Sequence, residues 1–171
     1  MSKAIYQTEF ALKVLRTGAI PSALERAERY RLLNEPTQAE SICLDILEVD
    51  PENQRALIQL VLSLTDQFDN SRSVERTSAL LLRLSDAYDS AYYRGIVYER
   101  RGRAQLHRTG PGGANTAYHL LREAMQCYEK AEKLRPADND EAILRWNTCA
   151  RTIMSEHLRP LPFDDSITML E

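Results

Sequence analysis

The sequence predicts an all-α protein built from repeated pairs of helices, and three observations support this. The 171 residues contain six glycines, and none of them lies between Gly18 and Gly95. Long tracts without glycine, in which apolar residues recur every three or four positions, favour helices over strands. Small and large apolar positions also recur at intervals of 34 residues, at Ala27, Val61 and Gly95 and at Tyr30, Leu64 and Tyr98. A period of this length is typical of helix-turn-helix repeats that stack into an α-solenoid.

This period and the helix breakers give the order of the elements along the chain. We predict an N-terminal helix in residues 1–19, three repeats at about 20–53, 54–87 and 88–138, a closing helix over 139–157, and a tail over 159–171. The repeats and the closing helix would form one repeat domain over residues 20–158. A solenoid needs such a closing helix to cover the apolar face of its last repeat.

The first helices are predicted from apolar spacing and from residues that suit helix ends. Apolar residues between 3 and 16 lie loosely on one side, and Gly18 favours a helix end there. Pro21 suits the first turn of the following helix. Thr37 and Glu40 have the spacing of a capping box, so we expect the next helix to begin beside Thr37.

The middle and third repeats depart from the regular pattern. In the middle repeat Val61 stands where a small residue is usual, and a run of leucines anchors the second helix. In the third repeat the expected alanine arrives 17 residues late, at Ala124. We therefore place an insertion at about 103–117, and we predict that it is a mobile loop because it contains Gly110, Pro111, Gly112 and Gly113.

The stretch that begins at Ala124 carries the clearest motif. Its spacing is Ala-x3-Tyr-x2-Ala-x4-Pro, in which small residues let two helices approach closely and the proline ends the helix. This pattern resembles the tetratricopeptide repeat (TPR) family over about residues 20–155, through Ala27, Tyr30, Ala39, Pro51, Gly95, Tyr98, Ala124, Tyr128, Ala131 and Pro136. The resemblance implies a right-handed superhelix of antiparallel helix pairs, with a concave groove that binds peptides, helices or other proteins. Members of this family are rarely catalytic.

The family's layout also implies which residues line the groove. The first helix of each pair faces the groove three residues before and one residue after its small residue, and the closing helix contributes Trp146. The predicted groove residues are Leu24, Glu28, Arg31, Ile58, Leu62, Tyr92, Ile96, Glu99 and Trp146. They form an apolar strip with charges at one rim, and exposed strips of this kind mark partner sites. The alternative is that each apolar member is an ordinary core residue.

One specific variant of the family is missing from this sequence. In the family that this chain resembles, the carboxylate clamp binds the C-terminal tails of chaperones through asparagines and cations on successive repeats. Here Glu25 and Gln59 occupy the asparagine-like places, and Tyr92 and Ile96 stand where the cations would be. We therefore do not expect an adaptor for chaperone tails.

Composition argues against several other classes of protein. The net charge is −3 with a pI near 5.7, which gives no global attraction to nucleic acid or to anionic membranes. The cations of residues 100–108 are typical of a helix C-terminus, although they could touch RNA or an acidic partner. The apolar run 56–65 is too short to span a membrane, and the first ten residues lack a signal-peptide core, so we expect a cytoplasmic protein.

No cofactor, metal site or catalytic residue is predicted. The three histidines share no ligand spacing with one another or with a cysteine. The three cysteines lack C-x-x-C spacing, and we expect reduced, packed thiols. No nucleophile and base can be placed in one pocket from the sequence.

Three functions agree with these observations: a scaffold or adaptor, an assembly or secretion chaperone for one client, and a self-associating structural subunit. The tail bears on the third function, because it carries the apolar residues Phe163, Ile167, Met169 and Leu170. We expect it to dock near Trp146 and Ile96, on its own chain or on a neighbouring copy. The alternative is a disordered tail.

Overall fold

The computed structural model describes residues 10–67, 71–106 and 112–160, with the side chains of 71–73 excepted. Within these ranges the chain forms seven α-helices and one 3-10 turn, Thr17–Ala19, and it contains no strand. The prediction of an all-α protein is therefore confirmed. The helices are α1 (Ile20–Leu32), α2 (Pro36–Val49), α3 (Gln54–Thr65), α4 (Ser71–Leu81), α5 (Ala87–Leu106), α6 (Gly113–Leu134) and α7 (Glu141–Ser155).

The chain divides into two compact units, one within residues 1–60 and the other within 61–171. The first unit holds α1, α2 and the beginning of α3, and the second holds the remainder of α3 and α4 to α7. The predicted repeat domain over 20–158 therefore includes parts of both units.

The N-terminal helix predicted within residues 1–19 is wrong for residues 10–16, which have no regular secondary structure. Phe10, Leu12 and Val14 are 78% or more exposed, so none of the three packs into a core. A helix of this length is marginal in water unless one of its faces is buried against other structure. The earlier part of the predicted helix, residues 3–9, lies outside the described residues.

In the first unit α1 and α2 pack together across the short turn at 33–35. Ala27 and Ala39, which the repeat pattern places at small positions, are both fully buried. The start of α2 differs from the prediction, because it begins at Pro36 with Glu35 as N-cap and no side-chain cap bond. The helix therefore begins one residue before Thr37, so Thr37 is not its N-cap as predicted. A proline at the first helical position has no N–H to satisfy, so it begins a helix without a side-chain cap.

The second unit is organised around α5 and α6, which are 20 and 22 residues long, whereas α1 and α2 have 13 and 14. The prediction of a loop over 103–117 is wrong at both ends, because α5 continues through Leu106 and α6 begins at Gly113. Ala117 and Leu121 are fully buried, and Leu106 packs against the same core. Burial of these side chains stabilises the additional helical turns, as it does for most helices in proteins. Residues 107–111 lie outside the described residues.

The contact between α5 and α6 depends on small residues. Gly95 lies under the ring of Tyr128, and a Cβ added at Gly95 would be 2.4 Å from Cε1 of that ring. Ala124 and Ala131, one turn to either side of Tyr128, are fully buried. The ring of Tyr128 is therefore held between two helices at close range, as the Ala-x3-Tyr-x2-Ala spacing predicts. The core around it contains Tyr92, Ile96, Leu121, Met125, Ala142 and Cys149.

Candidate protein interaction site

The predicted groove residues divide between the two units and differ in exposure. Leu24, Tyr92 and Ile96 are buried, with 5%, 6% and 2% of their surfaces exposed. Leu24 packs with Ile46 and Ala56, and the other two belong to the core of the second unit. The prediction that these three residues form an exposed apolar strip is wrong, and the alternative of ordinary core residues holds for them. Ile58, Leu62 and Trp146 are half-buried.

The charged members of the predicted rim also differ from one another. In the first unit Glu28 is exposed, and Arg31 donates through Nη1 to Oε1 of Gln59 at 3.3 Å. In the second unit Trp146 donates through Nε1 to Oε1 of Glu129 at 3.0 Å. Glu99, predicted to lie at the rim, is instead 1% exposed.

Glu99 is the centre of a buried polar network that joins α5, α6 and α7. Tyr128 donates its hydroxyl to Oε2 of Glu99 at 2.7 Å, and Nη2 of Arg103 lies 3.0 Å from Oε1. Nη1 of Arg145 on α7 lies 3.3 and 3.4 Å from the two carboxylate oxygens. A buried carboxylate is costly unless it is paired and hydrogen-bonded. The two guanidinium groups and the phenol meet this requirement, so the network fixes the three helices relative to one another.

Tyr92 extends this network toward the N-terminal end of α7. Its hydroxyl donates to Oε2 of Glu141 at 2.6 Å. Burial, and then the hydrogen bond to Glu141, raises the pKa of Tyr92 well above its usual range. Burial and the adjacent carboxylate of Glu99 likewise raise the pKa of Tyr128. Both phenols therefore stay protonated at neutral pH and act as hydrogen-bond donors.

An open cleft of about 640 Å³ lies beside Tyr92, at the N-terminal ends of α5 and α7. The rings of Tyr88 and Tyr92 are stacked with their centroids 5.6 Å apart, and Tyr93 meets Tyr92 edge-on at 5.2 Å. Tyr88 also donates to Oδ1 of Asn139 at 3.3 Å, which ties the start of α5 to the turn before α7. We call this site the tyrosine cleft; its lining residues are Tyr88, Asp89, Tyr92, Tyr93, Asp138, Asn139, Asp140, Glu141 and Leu144.

The tyrosine cleft carries four carboxylates, from Asp89, Asp138, Asp140 and Glu141. Burial raises the pKa of Asp89, and the nearby charge of Asp86 raises it further. Nε of Arg135 lies 3.5 Å from Oδ1 of Asp140 and offsets part of this negative charge. A cation that entered the cleft would relieve the repulsion at Asp89 and could lie against a tyrosine ring. The geometry therefore suits a lysine or arginine side chain.

Of the predicted site residues, only Tyr92 lines this cleft. The sequence did contain a signal for the acidic part of the cleft, namely the carboxylates of Asp138, Asp140 and Glu141. Such a group of acidic residues is also typical of a helix N-terminus, which is its simplest interpretation. Its proximity to the three tyrosines could not be deduced, since Tyr88 and Asn139 are 51 residues apart in the chain. The apolar tail residues Phe163, Ile167, Met169 and Leu170 lie outside the described residues.

No family model matches the chain, and neither curated proteins nor solved structures show a significant match to it. Within the described residues, no helix is both long enough and apolar enough to cross a membrane. Cys43, Cys127 and Cys149 are buried free thiols, as predicted from their number and spacing.

Proposed function

We propose that this chain is a non-catalytic, cytoplasmic protein-interaction module of the TPR type, whose helix pairs form a right-handed superhelix. Its close helix contacts support the proposal. The tight contact of Gly95 with Tyr128 and the complete burial of Ala27, Ala39, Ala124 and Ala131 occur at the positions where the TPR pattern has its small and aromatic residues. TPR-like helix pairs present surfaces for partner proteins, so protein binding is the function that follows.

The choice of binding site and of partner rests on the tyrosine cleft. It combines three aromatic rings with four carboxylates, and its walls are fixed by hydrogen bonds from Tyr88 to Asn139 and from Tyr92 to Glu141. A preformed wall reduces the entropy that is lost when a partner binds. Aromatic residues supply much of the energy at protein interfaces, and carboxylates select a cationic partner. The proposed ligand is therefore a segment of another protein that carries lysine or arginine.

The test begins with the selection of peptides from a display library on the immobilised full chain. Selected peptides are then synthesised with each lysine or arginine kept or replaced by glutamine, and their dissociation constants are measured by fluorescence polarisation. We expect the selected peptides to be basic, and we expect glutamine replacement to weaken them by about tenfold, or about 1.4 kcal/mol, which suits a charge contact in an open cleft.

Variants of the cleft complete the test. Asp89→Asn combined with Asp138→Asn should weaken the basic peptides by about tenfold, because two carboxylates lose their charge while their shapes remain. Asparagine tolerates the positive φ of 62° at Asp138 as well as aspartate does. Asp45→Asn, at an exposed position of α2, is the matched control and should leave affinity unchanged. Selected peptides that are not basic, or that bind both variants equally, would contradict the assignment of the cleft.

A further inference from the structure

A second groove lies between α5 and α6 and has the opposite charge to the tyrosine cleft. It encloses about 530 Å³, and we call it the basic groove. Its lining residues are Ala87, Ser90, Ala91 and Arg94 on α5, and Cys127, Lys130, Lys133 and Leu134 on α6. The α5 residues are spaced at i, i+3, i+4 and i+7, so they share one side of the helix. The helical period places this side away from Tyr88, Asp89, Tyr92 and Tyr93.

The cations of the basic groove are available to a partner. In the part of the chain that the structure describes, none of Arg94, Lys130 and Lys133 forms an ion pair. Burial raises the pKa of the Cys127 thiol, while Lys130 and Arg94 act against this rise and Glu123 adds to it. The charges of Lys130, Arg94 and Glu123 therefore all act on the groove wall at Cys127.

The same groove also offers apolar surface. Ala87 and Ala91 line it from α5, and the side chain of Leu134 is 51% exposed at its α6 side. Three cations around an apolar floor suit a segment in which acidic and apolar residues are mixed. An acidic peptide fits this surface, whereas the tyrosine cleft suits a basic one.

We propose that the basic groove binds the segment 163–171 of a second copy of this chain. This segment carries Asp164, Asp165 and Glu171 together with Phe163, Ile167, Met169 and Leu170. Its acidic residues complement the three groove cations, and its apolar side chains match the apolar floor. The proposal concerns a different surface from the tyrosine cleft and does not rest on the function proposed for that cleft.

The path of the chain explains why the segment comes from a second copy. The bonds from Tyr92 to Glu141 and from Arg145 to Glu99 show that α7 starts beside the N-terminal part of α5 and runs in the same direction. The basic groove lies at that N-terminal part, so the 15 residues of α7 carry the chain about 22 Å away from it. The groove also lies on the side of α5 away from the tyrosine cleft, where α7 begins, so a segment of the same chain would have to return along α7 and then pass around the α5–α6 pair. A neighbouring copy has no such restriction.

Each copy would then donate one segment and accept another, which is a head-to-tail or reciprocal contact. Light scattering on the full chain should show a mass above that of a monomer, and this mass should fall toward the monomer as salt screens the charges. Lys130→Glu with Lys133→Glu reverses the charge of the groove, and Asp164→Lys with Asp165→Lys reverses that of the segment. We expect each double variant alone to dissociate at least about tenfold more readily than the original chain.

Mixing the two double variants is the decisive measurement. The basic segment of one variant then meets the acidic groove of the other, so the mixture should recover the larger species although neither variant forms it alone. Circular dichroism and thermal melting establish that each variant is folded, and Lys13→Glu, at an exposed position, is the matched charge-reversal control. A monomeric original chain, or a mixture that stays monomeric, would overturn the proposal. Association that is unchanged in the groove variant would overturn it as well.

Discussion

The ring of Tyr128 lies directly over Gly95, and its Cε1 atom would be only 2.4 Å from a Cβ carbon added at that glycine. Ordinary contacts between carbon atoms are about 3.5–4.0 Å. Tyr128 is itself fully buried, and its hydroxyl is bonded to Glu99, so the ring cannot move away without breaking that bond. The approach of α5 and α6 therefore requires glycine at this position.

We predict that Gly95→Ala lowers the free energy of unfolding by about 1–3 kcal/mol or more, through overpacking against Tyr128. Urea denaturation followed by circular dichroism measures the change. Gly18→Ala is the matched control, because no atom lies within 4 Å of the added Cβ there. The control should change stability by less than about 1 kcal/mol. Equal effects of the two substitutions would mean that the contact between Gly95 and Tyr128 is not as described.

The buried network gives the second prediction. Glu99→Gln keeps the shape of the side chain but leaves Arg103 and Arg145 without the carboxylate that they share. We expect a loss of about 1–3 kcal/mol, at the lower end of buried charge pairs because both guanidinium groups are partly exposed and can be hydrated. The matched control is Glu132→Gln, which removes an exposed pair with Arg135 and should cost less than about 1 kcal/mol.

If Glu99→Gln melts at the same temperature as the original chain, the network does not stabilise the second unit. Tryptophan fluorescence provides an independent measurement, since Trp146 is the only tryptophan and lies on α7 one residue after Arg145. Loosening of α7 should shift its emission in Glu99→Gln and leave it unchanged in the control.

The third prediction concerns alkaline pH. Burial raises the pKa of Cys43 from 9.0 to about 12, and burial together with Glu99 does the same for Cys149. A group with a raised pKa keeps its proton in the folded state, while the unfolded chain releases it above pH 9. The contribution of these thiols to the free energy of unfolding should therefore be constant below pH 9 and fall between pH 9 and 12, by about 1.4 kcal/mol per pH unit for each thiol.

Urea denaturation at a series of pH values measures this slope. Cys43→Ala removes one titrating group, so above pH 9 the free energy of unfolding of the variant should fall less steeply with pH than that of the original chain. The cavity left by the substitution changes the starting free energy but not this slope. Tyr92 and Tyr128, whose pKa values are also raised, contribute further loss above pH 10 in both proteins. A slope that is the same in both proteins would contradict the prediction.

The fourth prediction follows from the tyrosine cleft and is made for the basic peptides selected on it. Their affinity should fall as the pH drops from 7 toward 4, because protonated carboxylates no longer attract a cation. The fall should begin at a higher pH than an ordinary aspartate would give, since the pKa of Asp89 is raised. Asp86→Asn removes the neighbouring charge and should shift the fall to lower pH.

This variant is a suitable control because asparagine can retain the cap that Asp86 provides. Oδ1 of Asp86 accepts a hydrogen bond from the backbone N–H of Asp89 at 2.9 Å, at the start of α5. The affinity is measured by fluorescence polarisation, with circular dichroism at each pH to confirm that the fold persists. An affinity that does not change with pH would show that Asp89 takes no part in binding.

The helices were largely predictable from the sequence, because their signals are local. Apolar spacing, Pro21 and Pro136, and the small residues Ala27 and Ala131 act within a few turns of the chain. The close packing around Tyr128 also agrees with the repeated spacing, whereas its contact with Gly95 became visible only in the structure. The errors occurred where local signals were weak. Residues 10–16 have an apolar pattern, but Leu15 packs against the core of the first unit while Phe10, Leu12 and Val14 stay exposed, so the stretch does not bury one face of a helix. The glycines at 110–113 obscured the helical turns on either side.

The candidate site was decided by the tertiary structure. Tyr92 was identified from the sequence, but as part of an exposed apolar strip, and only the packing of α6 and α7 shows that it is buried with its hydroxyl at Glu141. Glu99 looked like a rim charge because its partners Tyr128 and Arg145 lie 29 and 46 residues away. A sequence specifies helix faces through neighbours three and four residues apart, whereas the burial of a carboxylate depends on side chains that only the folded chain brings together.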